Sequence, residues 1–342
     1  MLQPLLPYQI FHQTGELKKR AEIFRVKLNS CVICPRHCLA DRMNEVEGFC
    51  QSGRNPLVAS TVAHFGEEPV LVGTKGAGNV FFGSCNLRCV YCQNWQISHP
   101  KIGKRKDEIT VEELADRMID LQNKGCPNIN FVSPSHFVAQ MVEAIAIAAE
   151  RGLHVPLVYN TNAYDDLETL KLLEGIIDIY LPDIKYSNDL AAIKYSQARD
   201  YTRISRTAIK EMHRQVGLLN IDEHGLARRG LIVRHLILPN ELGDTESAFK
   251  FLAEEISKET FVSVMAQYYP TNKAQKIPLL SRKIRSLEYD RVLELLDKYG
   301  LENGWVQELE APDVYRPDFT RAAPFDNREL GIVMPDLIRH PD

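Results

Sequence analysis

The sequence predicts an α/β protein built on parallel strands: an open, partial (β/α)6 barrel with a cysteine-rich, metal-binding extension on its N-terminal side. Three observations carry that expectation. Strand-like and helix-like segments alternate along the middle of the chain. A loop holding three cysteines follows the first strand-like segment, and polar residues cluster directly after the later ones. Repeated strand–helix units imply parallel strands joined by right-handed crossovers. Six such units are too few to close an eight-stranded barrel.

Asn79 to Gly83 reads as a short strand entering the cysteine loop. Val111 to Lys124 has helical periodicity, with Leu114, Met118 and Leu121 on one face and Thr110 as its N-cap. Asn128 to Val132 is the second strand, and Phe137 to Arg151 a helix closed by Gly152. Val155 to Asn160 is the third strand, followed by a short helix over Leu167 to Leu173. Ile177 to Leu181 is the fourth strand. Thr202 to Val216 is helical, with Ile204, Ala208, Met212 and Val216 spaced by four. Leu231 to Leu238 is the fifth strand, Glu246 to Ser257 a helix, Phe261 to Ala266 the sixth strand and Leu287 to Tyr299 the last helix. The expected organisation is an extension over 1–75, a core over 76–318 and a tail over 319–342. The tail loses periodicity and has the composition of a disordered appendage with no assigned function.

The chemistry concentrates in Cys85-Asn-Leu-Arg-Cys89-Val-Tyr-Cys92. A cubane [4Fe–4S] cluster normally takes four Cys thiolates, so a loop that supplies three leaves one iron open to a small molecule. A closed structural zinc site would need a fourth ligand, with His99 the nearest candidate. Unrelated buried thiols are the plain alternative. This spacing, with an aromatic residue before the last cysteine, resembles the signature of the radical SAM superfamily. The resemblance implies that S-adenosylmethionine (SAM) chelates the open iron and is cleaved reductively to a 5′-deoxyadenosyl radical, the cofactor pair carrying the hard chemistry.

In parallel α/β architectures ligands bind at the carboxyl ends of strands. The expected strands end in Ser133-Pro-Ser-His136, Asn160-Thr-Asn162 and Pro182-Asp-Ile-Lys185, with Arg234 and His235 on the fifth and Gln267 after the sixth. Tyr91 and these residues are the expected walls of the SAM pocket. Cys89-Val-Tyr-Cys-Gln-Asn-Trp95, Asn160-Thr-Asn-Ala-Tyr164, Asp178-Ile-Tyr-Leu-Pro-Asp-Ile-Lys185 and Val233-Arg-His-Leu-Ile-Leu-Pro239 are similar to segments of pyruvate formate-lyase-activating enzymes. The resemblance runs from about Cys31 to about Asp318. It is closer still to an uncharacterised branch of their homologues, which shares His64-Phe-Gly-Glu-Glu-Pro69 and Met265-Ala-Gln-Tyr268. It implies that Thr161, Leu181 and Asp183 surround a monovalent cation beside the SAM carboxylate, and that Arg234 lies near SAM. Asn160 stands where the activases have an aspartate, which puts the cation in doubt. Ser133-Pro-Ser-His136 replaces their Gly-Gly-Glu-Pro, so only that position carries over.

A second group, Cys31-x-x-Cys34-Pro-Arg-His-Cys38 with Gly48-Phe-Cys50, can surround one metal centre. Four thiolates suit an auxiliary [4Fe–4S] cluster or a structural zinc, and reduced thiols without metal remain an alternative. Cys126 reads as a packed thiol.

Composition fits an intracellular enzyme: 342 residues, 44% hydrophobic, 25% charged. A net charge of −4 leaves no electrostatic footprint for nucleic acid, and Lys101 to Lys106 reads as a solvated loop. No signal peptide or bilayer-length apolar run is apparent, so the expected compartment is the cytoplasm, with no membrane partner. The expected function is hydrogen abstraction by a radical SAM enzyme, with a flavodoxin or ferredoxin as electron donor. The activase resemblance points to a glycine of a partner glycyl-radical enzyme. Other peptides, small molecules and a non-catalytic iron–sulfur or zinc protein are the alternatives.

Overall fold

The computed structural model describes residues 5–99, 107–309, 311, 317–321, 324–325 and 338–339. Strand β1 (Val58–His64) runs antiparallel to β2 (Ala77–Phe82). From β2 the sheet continues in parallel through β3 (Ile129–Val132), β4 (Leu157–Thr161) and β5 (Ile179–Pro182). The strand β6 (Asn220–Ile221) forms only a short antiparallel ladder on β7 (Ala227–Leu236). β7 itself pairs in parallel with β5 and β8 (Phe261–Met265), and β8 with β9 (Gly304–Gln307). An antiparallel β10 (Ile338–Arg339) adds to β9. All six expected strands are present, and β9 makes a seventh parallel one. Its four residues open on a glycine, too short a pattern to register as a strand.

The sheet curls. β7 lies four strand steps from β2, about 19 Å across a flat sheet. Yet Arg234 of β7 contacts Glu67, which accepts a hydrogen bond from Asn79 of β2. The end strands β1 and β10 are not paired with each other among the described residues, so the sheet is open.

Helices α1 (Pro7–Thr14) and α2 (Glu16–Val26) precede the sheet. Leu17, Ala21, Phe24 and Leu28 are buried at helical spacing, and the Tyr8 hydroxyl donates to the Val155 carbonyl at 3.1 Å. The crossover helices follow the sequence pattern closely. α3 (Val111–Asn123) starts on a reciprocal Thr110–Glu113 capping box, which satisfies two otherwise orphaned N–H groups. α4 (Val138–Glu150) and α5 (Leu167–Leu173) follow, then α6 (Asp189–Ser196) and α7 (Tyr201–Val216). α8 (Thr245–Phe251) gives way to a π-helical turn over Leu252–Ile256, where the sequence predicts one uninterrupted helix. α9 (Ser286–Tyr299) closes on Gly300 in the left-handed region.

Within the expected extension over 1–75, Val58–His64 forms β1, an edge strand of the core sheet. Lys101–Lys106 and most of 319–342 lie outside the described residues. The described part of that tail packs on the sheet: Phe319 and Phe325 contact Phe81 at ring-centroid distances of 5.4 and 5.1 Å. Among the described residues no helix is long and apolar enough to cross a membrane.

Candidate active site

A cavity of about 200 Å³ opens at the carboxyl ends of the parallel strands, with Cys85, Cys89 and Cys92 in its wall. Three strand ends turn there on non-glycine residues in the left-handed region: Ser84 after β2 (φ 64°), Ser133 after β3 (φ 58°) and Ala163 after β4 (φ 58°). Such backbone costs free energy and persists where surrounding contacts enforce it.

Each of the three sulfurs meets hydrogen-bonding groups. Cys85 Sγ accepts from the Leu87 amide at 3.3 Å and lies 3.6 Å from Asn162 Nδ2. Cys89 Sγ accepts from the Ser196 hydroxyl at 3.0 Å, and Cys92 Sγ lies 3.1 Å from Ser98 Oγ. Burial pushes the Cys85 thiol up to about 11 and that of Cys92 to about 12, and raises Cys89 as well. Without metal these groups are therefore protonated at neutral pH, and metal binding must displace their protons. The Ser196 hydroxyl is 2.7 Å from that of Tyr186, which accepts from Tyr91 at 2.7 Å. Tyr91 is thereby tied, through two hydroxyls, to the Cys89 sulfur.

Opposite the cysteines lies a buried charge network. Arg234 faces Glu67 at 3.2 Å, Asp183 at 3.4 Å and Glu68 at 3.5 Å, and Lys185 pairs with the other oxygen of Asp183. Burial lowers the Arg234 pKa, but the carboxylates of Glu68, Asp183 and Glu67 outweigh it, so the net shift is upward. Glu68, pushed up by burial, has one oxygen without a hydrogen-bond partner, as does Asp183. Thr161 Oγ1 donates to Asp165 at 2.6 Å and lies 3.1 Å from Ser135 Oγ.

Of the sequence-predicted pocket residues, Tyr91, Ser133, Asn160, Thr161, Asp183, Lys185, Arg234 and Gln267 line this cavity. His136, Leu181 and His235 do not; His235 is fully buried, its Nδ1 2.8 Å from the Ile184 carbonyl oxygen. His136 is buried behind the loop, its Nε2 2.9 Å from the Gly83 carbonyl oxygen, and burial pushes its pKa down to about 3. Leu181 joins Val158, Ile179 and Ile232 in an apolar cluster. Sequence reasoning missed Glu67, Glu68, His64 and Asp165. The first three were visible in His64-Phe-Gly-Glu-Glu-Pro69, but that loop follows the unforeseen edge strand β1. The upstream cysteines share a separate narrow cleft with Arg36, Arg42 and His136; Cys31, Cys34 and Cys50 are buried and Cys38 is exposed.

The Radical SAM superfamily profile matches residues 79–252, which span the cysteine loop and the strands that bound the cavity. The chain belongs to the radical SAM superfamily. Two relatives come from Methanocaldococcus jannaschii. Uncharacterized protein MJ0674 is 31% identical over 84% of this chain and 80% of its own length. Uncharacterized protein MJ0808 is 26% identical over 87% of this chain and 89% of its own. Among solved structures, HydG, a maturase of the [FeFe]-hydrogenase, aligns with a TM-score of 0.45 at 13% identity; the match covers 67% of this chain and half of that one.

The radical SAM family implies a [4Fe–4S] cluster and SAM, and the residues fit both. Three thiols with nearby hydrogen-bonding groups suit three irons. The carboxylates of Glu67 and Asp183 and the cationic Lys185 and Arg234, all in the cavity wall, match a ligand carrying both an ammonium and a carboxylate.

Proposed function

We propose that this radical SAM enzyme abstracts a hydrogen atom from a glycine of a partner glycyl-radical enzyme, as the pyruvate formate-lyase activases do. When bound, the reduced cluster and SAM supply the 5′-deoxyadenosyl radical. The chain's own residues do the rest. Cys85, Cys89 and Cys92 hold the irons, and hydrogen bonds from Leu87 and Ser196 orient the first two thiolates. Lys185 and Arg234 face the ligand's carboxylate, and Asp183 or Glu67, which line the cavity beside them, accepts its ammonium. A flavodoxin or ferredoxin is the proposed electron donor, and the cytoplasm the proposed compartment. The four upstream cysteines hold a metal centre of their own within this proposal, iron–sulfur or zinc.

One observation carries the reading: the three-cysteine loop shares a cavity at the strand ends with Glu67, Asp183, Lys185 and Arg234, in a chain whose segments from Cys89 to Pro239 resemble the activases. The reconstituted, reduced protein should release 5′-deoxyadenosine from SAM, and Cys89→Ala should abolish that release. Deuterium placed on the Cα of the partner's glycine should then appear in the 5′-deoxyadenosine. Cleavage without that transfer would move the substrate to another peptide or a small molecule. No cleavage by wild-type protein with an intact cluster would leave a non-catalytic iron–sulfur protein.

A further inference from the structure

We infer that the face formed by α6 and the short 3-10 helix Asn272–Lys276 docks an acidic flavodoxin beside the cysteine loop. This rests on the reading that the loop holds a cluster fed by an external donor. It goes further in naming the surface, and in choosing between the two donors.

Both elements are bonded to the backbone around Cys89. The Arg88 amide donates to the Ser196 carbonyl at 3.0 Å, and the Val90 amide to that of Tyr195 at 2.8 Å. From the other element, the Ala274 amide donates to the Val90 carbonyl at 3.1 Å. The Ser196 hydroxyl reaches the Cys89 sulfur itself. Val90 is only half-buried, so the chain between two of the three cysteines comes near solvent here. Electron transfer between proteins falls steeply with distance, and this surface is joined to a thiol of the loop by single hydrogen bonds.

The face carries one sign of charge. The segments 190–199 and 267–287 contain no aspartate or glutamate, in a chain whose net charge is −4. Lys194, Lys273 and Lys276 are exposed and, among the described residues, pair with no carboxylate. The acids that bracket the first segment are engaged: Asp189 accepts from the Thr202 amide at 2.8 Å, and Asp200 lies 3.9 Å from Arg203. A local positive patch on an acidic protein steers an acidic partner to one place and repels it elsewhere.

Apolar side chains share that face. Leu190 and Ile193, 79% and 45% exposed, lie three residues apart on α6, with Lys194 next to them. Large apolar groups left in water beside charged ones mark an interaction surface. They fit a redox group that shows an apolar edge within an acidic rim. The dimethylbenzene edge of a flavin is such a group, and an iron–sulfur carrier has no ring edge to offer. One electron passes: the flavin hydroquinone anion becomes the neutral semiquinone, keeping its N5 proton, and the cluster is reduced.

The test mixes reconstituted holoenzyme with photoreduced flavodoxin and follows cluster reduction by loss of visible absorption. Lys194→Glu/Lys273→Glu/Lys276→Glu should slow reduction about tenfold or more at low salt, and remove the fall in rate that added salt causes in wild type. Its iron content, and its photoreduction by a small neutral deazaflavin, should match wild type, which shows that the variant is folded and loaded. Lys18→Glu/Lys19→Glu/Lys258→Glu makes the same change in net charge on exposed lysines of α2 and the turn before β8, and its rate should stay within about twofold of wild type. Leu190→Ala/Ile193→Ala should weaken flavodoxin binding about tenfold by calorimetry. Equal rates for wild type and the 194/273/276 variant would overturn the inference, as would an equal loss in both triple variants. A wild-type cluster that flavodoxin leaves oxidised would overturn it as well, whether or not a ferredoxin reduces it. None of these readouts uses SAM. A cluster that flavodoxin reduces through this face without release of 5′-deoxyadenosine would therefore overturn the proposed function and support the docking face.

Discussion

Arg234 shows how residue identity alone under-determines role. Its type and place at a strand end were legible in the sequence, and the cavity contains it. Its partners were not, because Glu67 and Glu68 lie far away in the chain and reach it only when the sheet curls. The guanidinium is already shared among Glu67, Glu68 and Asp183, so it orients carboxylates as much as it faces a ligand. Arg234→Lys keeps the charge but loses the planar fork, and we expect about tenfold weaker SAM binding, roughly 1.4 kcal/mol, with unchanged iron content. Equal SAM affinity by calorimetry would place Arg234 in the scaffold alone. Asp178 carries a second residue-scale prediction. It is 1% exposed, accepts from the Leu157 amide at 2.9 Å, and burial pushes its pKa up from 3.8 to about 7. Over that window the native state binds the proton more tightly than the unfolded chain. Stability linked to this group is therefore full below pH about 4 and falls as pH rises toward about 7. Asp178→Asn keeps an oxygen for the Leu157 amide and removes the titration. It should flatten stability between those limits and gain about 1 kcal/mol or more above them. Denaturant melts across the range test this, and an unchanged slope would refute it.

Elements were legible where periodicity is strong and local. α3, α5 and α7 follow the expected bounds within about two residues, because capping residues and a clear apolar stripe coincide. β1 and β9 were not foreseen. β1 is a run of small and polar side chains, Val-Ala-Ser-Thr-Val-Ala-His, whose middle residues are only half-buried. β9 is four residues long and begins at Gly304, which packs against β8 so closely that a Cβ would lie 2.0 Å from the Val262 carbonyl oxygen. With φ at +132°, that position excludes side chains on conformational grounds too. Gly304→Ala should cost about 2 kcal/mol or more, by overpacking and backbone strain together. Thr110→Ala, which removes an ordinary N-cap, should cost about 1 kcal/mol. If thermal unfolding ranked the two the other way round, the close β8–β9 approach would not be a strict requirement.

At the scale of the molecule, the cavity is enclosed by parts of the chain that composition alone separates. The N-terminal segment supplies His64 and Glu67, the core supplies the cysteine loop, and residues 317 and 325 reach the cavity from beyond the core. Pro317 and Phe325 line the cavity, with Phe325 4.1 Å from the His64 ring. Gln96, one turn beyond Cys92, clasps this segment: its Nε2 donates to Asp318 at 3.0 Å and its Oε1 accepts from the Phe319 amide at 2.9 Å. Proline content and lost periodicity made this stretch read as an appendage, because its order comes from contacts more than two hundred residues away in sequence. Reactive intermediates need a site shielded from water, and we expect Phe325, with Phe319 against it, to supply part of that cover. Replacing Phe319 and Phe325 together by Ala removes the ring contacts with Phe81 and His64 while leaving every cluster ligand in place. The reconstituted double variant should bind as much iron as wild type but lose it several-fold faster to an external chelator. SAM turnover without substrate should rise alongside. Identical chelation rates would mean that these rings rest against the cavity without closing it, and that shielding comes from the substrate itself.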